Sequence, residues 1–246
     1  MIAGIIPARW ASTRFPGKPL ADILGQSMLQ RVYAQASQSR LLDLVVVATD
    51  DERIAEHVQA FGGEVVMTSP HHPSGTDRCQ EALTKIKGDY QYVMNIQGDE
   101  PFIDPEQIDE LAEILQDGSV ELATQMIEVR SHNELFDNGE VKIVLNAQGE
   151  ALYFSRMPIP FFKGVAEHEW HSRHRYYRHV GMYAYRADVL QKITQLPVSL
   201  LEQAESLEQL RWLENGYRIR CVSTRFDSHC IDTPEDIEKV LRRMGR

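Results

Sequence analysis

The sequence predicts an α/β protein, a doubly wound and mostly parallel sheet with a smaller β-rich excursion at about residues 120–186. Short apolar runs rich in β-branched residues (Ile2 to Ile6, Leu44 to Ala48, Val65 to Met67, Tyr92 to Ile96) alternate with stretches of helical period. This is the pattern of right-handed βαβ units with helices on both faces of a sheet. From Val120 the texture changes to β-rich segments separated by turn residues. At 246 residues and 43% apolar content, the chain suffices for one large domain with its own core.

Taken in order, Ile2 to Ile6 is too short for a helix and reads as a buried strand, which Pro7, Pro16, Gly17 and Pro19 then exclude from continuing. Ser27 to Ser39 is an amphipathic helix with Met28, Val32 and Ala36 on one face, and Glu52 to Phe61 is a second helix stopped by Gly62-Gly63. Thr76 caps a helix to about Lys87. Asp104 as N-cap, Pro105 in the first turn and Gln107 at the capping-box position open another, to about Leu115. Val120 to Val129, Val141 to Leu145 and Ala151 to Phe154 read as strands around turns at Asn138-Gly139 and Gln148-Gly149. Residues 157–178 have no period, and Phe161, Phe162 and Trp170 there predict an exposed aromatic subunit contact. Arg178 to Arg186 alternates, with Val180, Met182 and Ala184 on one face and His179, Gly181, Tyr183 and Tyr185 on the other. A helix over Leu200 to Asn215 places Leu200, Ala204, Leu207, Leu210 and Leu213 on one stripe. A strand over Ile219 to Ser223 follows, and Thr233-Pro234-Glu235-Asp236 opens the last helix.

A net charge of −10 argues against general nucleic-acid binding, which needs a basic surface. The absence of a long apolar run, and of a basic leader in MIAGIIPAR, predicts a cytoplasmic protein with no membrane partner. The three cysteines, Cys79, Cys221 and Cys230, lack CxxC spacing and read as small packing residues. Against the acidic background, Arg9, Arg14 and Lys18 fall on one Gly/Pro loop after the first strand, which suits a polyphosphate. The loop is no Walker motif, because Pro19 follows Gly17-Lys18 and Ser12 replaces the first glycine. Two further loops leave strand ends on the same side, Ser74-Gly75-Thr76-Asp77-Arg78 and Gln97-Gly98-Asp99-Glu100-Pro101. Adjacent His71 and His72 point apart on an extended chain and do not make a metal pair.

PARWASTRFPGKPL, HHPSGTDR, QGDEP, LYFSR, LEQAESLEQLR and CIDTPED, in that order, resemble the sugar-activating nucleotidyltransferases and, within them, the 3-deoxy-manno-octulosonate cytidylyltransferase family. The resemblance runs from Ile5 to about Ile237. It implies a Rossmann-like nucleotidyltransferase fold, CTP and a 2-keto-3-deoxy sugar acid as substrates, Mg²⁺ as cofactor and a homodimer. By motif match, it places Pro7, Ala8, Arg9, Arg14, Lys18, Ser74, Gly75, Arg78, Gln97 and Asp99 at the nucleotide, with Arg14, Lys18, Asp99 and Asp232 catalytic. Asp99 and Asp232 are the implied magnesium ligands, and Gln97, Arg156, His179, Tyr183, Glu208 and Gln209 the implied sugar contacts, Arg156 holding the carboxylate. Pro73 and Asp77 depart from the family pattern. Another sugar-acid acceptor (sialic acid or an amino-substituted octulosonate), a binding regulator without turnover, and a phosphohydrolase remain as alternatives.

Overall fold

The computed structural model describes residues 1–11, 15–227 and 230–243. Its first half is β1 (Ile2–Ala8), the small hairpin β2 (Asp22–Ile23) and β3 (Gln26–Ser27), α1 (Met28–Ala36), β4 (Leu44–Thr49), α2 (Glu52–Ala60), β5 (Val65–Met67), α3 (Gly75–Lys85), β6 (Tyr92–Asn95) and α4 (Pro105–Glu113). The second half is β7 (Leu122–Glu128), α5 (His132–Phe136), β8 (Lys142–Leu145), β9 (Ala151–Ser155), α6 (Trp170–Arg173), β10 (Tyr177–Arg186), α7 (Ala187–Ile193), α8 (Leu200–Glu205), α9 (Gln209–Glu214), β11 (Ile219–Ser223) and α10 (Pro234–Arg243). Among the described residues no helix is long and apolar enough to cross a membrane.

The main sheet runs β11-β7-β10-β6-β1-β4-β5, with β8 paired to β10 and β9 to β8. β1 is parallel to both β4 and β6, while β10 runs antiparallel between β6 and β7. Both faces are covered, which is why the strands read as unbroken apolar runs. Ala3, Ile5, Val46 and Val93 face one core with Cys79, Ala82, Leu190 and Trp212. Ile6, Val45, Val47 and Met94 face another with Leu29, Val32, Ile54, Ile108 and Leu111. Met28, Val32 and Ala36 are fully buried, as their spacing requires.

Several expectations are corrected. The first strand continues through Pro7 and Ala8, because β1 keeps its pairing with β4 there after its last pair with β6, Ile5 with Asn95. A proline is tolerated where one neighbour has ended. Ser74, not Thr76, caps α3, its side chain accepting from Asp77 N at 3.2 Å. Gln107 closes no capping box; it is fully buried and donates to Gln125 Oε1, while Asp104 accepts from Glu106 N. The helix expected over Leu200 to Asn215 is two, broken where Ser206 adopts φ 54, and Leu200 is 80% exposed rather than on a buried stripe. The break is held by Arg211 of α9, which pairs with Glu202 of α8 at 2.5 Å. β7 and β10, placed in the excursion, are inner strands of the main sheet, and of the excursion's strands β8 and β9 lie off its path. In the 157–178 stretch Trp170 is buried and Phe162 packs partly buried against the small core of Val129, Leu135, Trp170 and Tyr176, leaving Phe161 as its exposed aromatic. Cys79 and Cys221 are buried as expected; Cys230 is not, and its thiol meets Glu100 Oε1 at 3.4 Å.

Candidate active site

A cleft of about 490 Å³ opens where β1, β5 and β6 end, the position where loops and helix N-termini converge in a parallel sheet. Pro7, Ala8, Arg9 and Lys18 line it from the first loop, Ser74, Gly75 and Arg78 from the second, Gln97, Gly98 and Asp99 from the third, and Asp232 from the approach to α10. Every residue expected at the nucleotide is therefore gathered here except Arg14, which lies outside the described residues.

Close backbone approach makes this possible. A Cβ on Gly98 would stand 3.0 Å from Pro7 O, and one on Gly75 would stand 3.3 Å from Pro7 Cγ. Gly17, at φ +73, turns the loop under Trp10, whose indole lies beneath the Arg53 guanidinium at 3.6 Å. Lys18 then reaches Asp99 Oδ2 at 2.7 Å and Asp232 Oδ1 at 3.3 Å. Burial disfavours its charge, but Asp99 and then Asp232 outweigh that and raise its pKa.

Nothing local in the chain brings 99 to 232. Ile231 N donates to Asp99 O at 2.9 Å, and Asp236 accepts from the Asp232 and Thr233 amides at 3.2 and 2.9 Å. The positioning role of Asp236 escaped the sequence reading, though the Thr-x-x-Asp spacing after Asp232 signals such a cap. The pair fits a small hard dication. Both carboxylates meet the Lys18 ammonium, and Asp99 Oδ1 is buried without a hydrogen-bond partner. Among the described residues no group of three or more His, Cys, Asp or Glu could hold a metal; two carboxylates are the protein share that Mg²⁺ takes beside phosphate oxygens and water.

Arg78 lines the cleft but is braced from behind. Its guanidinium meets Asp50 at 3.0 Å and Thr68 Oγ1 at 2.5 Å, and burial lowers its pKa despite Asp50. His72 likewise is bound to Glu81, outside any metal pair.

The expected sugar contacts are not brought together as one wall. Gln97 donates to Gly181 O at 2.8 Å, joining the first cleft to a second of about 600 Å³ that shares Asp232 and is lined by His179, Gly181 and Arg178. His179 lies between Phe154 and Tyr183 and hydrogen-bonds Thr124 Oγ1 at 2.8 Å; burial pulls its pKa to about 3, so the ring is neutral. Tyr183 is buried against Trp212 and Tyr185, its hydroxyl unpartnered. Glu208 turns toward the second loop instead, accepting from Ser74 Oγ at 2.9 Å and Thr76 Oγ1 at 2.8 Å, and burial raises its pKa against those donors. Gln209 is buried at the start of α9. Arg156 is the clearest departure from expectation. Its guanidinium donates to the carbonyls of Glu205, Asn138 and Ser206 and lines neither cleft, so its charge serves the chain and is not presented to a carboxylate.

A family model described as cytidylyltransferase matches residues 3–219. The 3-deoxy-manno-octulosonate cytidylyltransferase of Parabacteroides distasonis is 56% identical over 242 residues, 97% of this chain and 96% of that protein. The protein of the same name from Geobacter metallireducens is 46% identical over 255 residues, 100% of this chain and 98% of that protein. A solved structure of CMP:2-keto-3-deoxy-manno-octonic acid synthetase complexed with CTP matches with a TM-score of 0.91 at 43% identity, covering 99% of this chain and 98% of that one. 4-Diphosphocytidyl-2C-methyl-D-erythritol synthase from Anaerococcus prevotii, 13% identical with a TM-score of 0.63 over 100% of this chain and 98% of its own, shares the fold.

Proposed function

This chain belongs to the cytidylyltransferase family, and from that premise we propose that it transfers CMP from CTP to the anomeric hydroxyl of 3-deoxy-D-manno-octulosonate, releasing pyrophosphate. The observation that carries the reading is the single cleft in which three cation-bearing or glycine-bearing loops meet Asp99 and Asp232. The sugar hydroxyl oxygen forms a bond to the α-phosphorus, the bond from that phosphorus to the β-bridging oxygen breaks, and pyrophosphate leaves with its electron pair.

The demand on the protein is charge management and alignment. Pro7, Ala8, Ser74 and Gly75 provide the backbone surface for the nucleoside, and Arg9 and Lys18 meet the triphosphate, with braced Arg78 adding positive potential; Arg14 is assigned to the triphosphate by its motif alone. Mg²⁺ would be held by Asp99 and Asp232 and supplies neutralisation of the phosphate oxygens and activation of a hydroxyl. Gln97, anchored on Gly181, and neutral His179 orient the acceptor by hydrogen bonds. The product's use in lipopolysaccharide assembly belongs to the same reading. A homodimer through the 157–178 arm is supported by exposed Met157 and Phe161, 59% and 73% accessible, and a monomer in sedimentation at micromolar concentration would end it.

The test is pyrophosphate release with CTP and Mg²⁺, with and without 3-deoxy-manno-octulosonate, with sialic acid and UTP as controls. Release with CTP plus that sugar alone is expected. Release with a different 2-keto acid would replace the acceptor, and phosphate release without acceptor would replace the reaction. Asp99→Asn is expected to lower turnover by about 10²-fold or more; activity within about threefold of wild type would remove Asp99 from the role.

A further inference from the structure

A lysine in a phosphate-binding loop ordinarily waits for phosphate, but Lys18 already has partners. Its ammonium lies 2.7 Å from Asp99 Oδ2 and 3.3 Å from Asp232 Oδ1, with 15% of the side chain exposed. Both sides of this contact are stiff. Lys18 leaves a short 3₁₀ turn between Gly17 in the left-handed region and Pro19. Opposite it, Ile231 N fixes the Asp99 carbonyl and Asp236 holds the amides of Asp232 and Thr233. Lys18 touches both carboxylates, and Asp99 Oδ1 beside this contact stays buried and unpartnered.

We propose that Lys18 is a built-in counter-ion that occupies the metal-binding carboxylates until a divalent cation displaces it, after which its ammonium passes to the phosphates of the nucleotide. The proposal rests on reading Asp99 and Asp232 as the magnesium pair. A dication and an ammonium at the same carboxylates repel each other, so the two occupancies exclude one another. Free protein therefore holds divalent cations weakly. Nucleotide and cation reinforce each other's binding, because the triphosphate gives the displaced ammonium a second anionic partner. Lys18 thus acts as a positioning residue for the cation as well as a phosphate contact.

Mn²⁺ titrated into the nucleotide-free protein, with unbound Mn²⁺ followed by electron paramagnetic resonance, reads the displacement without turnover. Lys18→Met keeps the apolar stem and removes the charge; it is expected to bind Mn²⁺ about tenfold more tightly than wild type, or better, while Lys18→Arg stays within about twofold. Adding Asp99→Asn to Lys18→Met is expected to abolish the gain. A Lys18→Met protein that binds Mn²⁺ no tighter than wild type overturns the proposal, as does a gain that survives Asp99→Asn. If Lys18→Met does not fold, the wild type decides. Brief acetylation read lysine by lysine in a mass spectrometer is expected to modify Lys18 about threefold faster or more with saturating Mn²⁺ than with chelator, as the ammonium leaves its carboxylates; equal rates overturn the displacement. Failure of the catalytic reading looks different: pyrophosphate release is then missing while the Mn²⁺ response of Lys18→Met persists.

Discussion

Asp236→Ala removes the side chain that aims Asp232 into the cleft. Asp236 Oδ2 accepts from Asp232 N at 3.2 Å, Thr233 N at 2.9 Å and Thr233 Oγ1 at 3.1 Å, and Oδ1 meets Lys239 Nζ at 2.9 Å. Lys239 first, and then the Thr233 and Asp232 donors working against partial burial, bring the carboxyl from 3.8 to about 2. A drop of that size corresponds to ~2.5 kcal/mol. With 23% of the Asp236 side chain and 62% of Lys239 exposed, solvent screening reduces it to ~1–2 kcal/mol. The folded-state pKa is depressed, so this stability is fully present above 3.8, the value taken for the unfolded chain, and is lost as pH falls through about 2. Urea unfolding at neutral pH is expected to show a loss of ~1–2 kcal/mol in Asp236→Ala, and the gap to wild type should close toward pH 2. Amide exchange at Asp232 and Thr233 should quicken by about tenfold, and turnover should fall by a similar factor, because the carboxylate is no longer held toward Lys18. Unchanged exchange at both amides, with unfolding within ~0.3 kcal/mol of wild type, would refute this account of Asp236.

Gly98→Ala sets a Cβ 3.0 Å from Pro7 O and 3.5 Å from Ile6 Cγ2; backbone cannot rotate aside, so overpacking should cost ~1–3 kcal/mol, and a melting temperature within about 1 °C of wild type would contradict it. His179, held by burial and then by Arg178 at about 3, should show no ring titration by NMR between about pH 8 and 5, and a midpoint at the ordinary histidine value of 6.5 would show that the site is open to solvent. The sign follows from the same shift. The unfolded histidine takes up a proton that the folded one refuses, so stability falls as pH drops from 6.5 toward 3, and His179→Gln should lose that slope.

The strand and helix order was legible because each element carries its own burial pattern. Met28, Val32 and Ala36 could be assigned to one buried face from spacing alone, and Val65–Met67 and Ile219–Ser223 agree with expectation at both ends. What misled was chemistry that depends on a neighbour. Pro7 reads as a strand breaker until the early end of the β1–β6 ladder is known. Leu200 reads as core until Ser206 turns the helix. Arg156 sits in a stretch resembling a sugar-acid motif, but its donors are committed by carbonyls of two other segments.

By itself, the sequence determined an alternating α/β chain whose loops of arginine, lysine, glycine and aspartate lie at strand ends, because periodicity and turn chemistry act over a few neighbouring residues. Only the tertiary structure decided that Lys18, Asp99 and Asp232 meet, that Glu208 faces Ser74, and that β10 enters the sheet antiparallel beside β6. Those contacts join positions far apart in the chain. They are fixed by strand order and by single bonds such as Ile231 N to Asp99 O, which leave no periodic trace in composition or spacing.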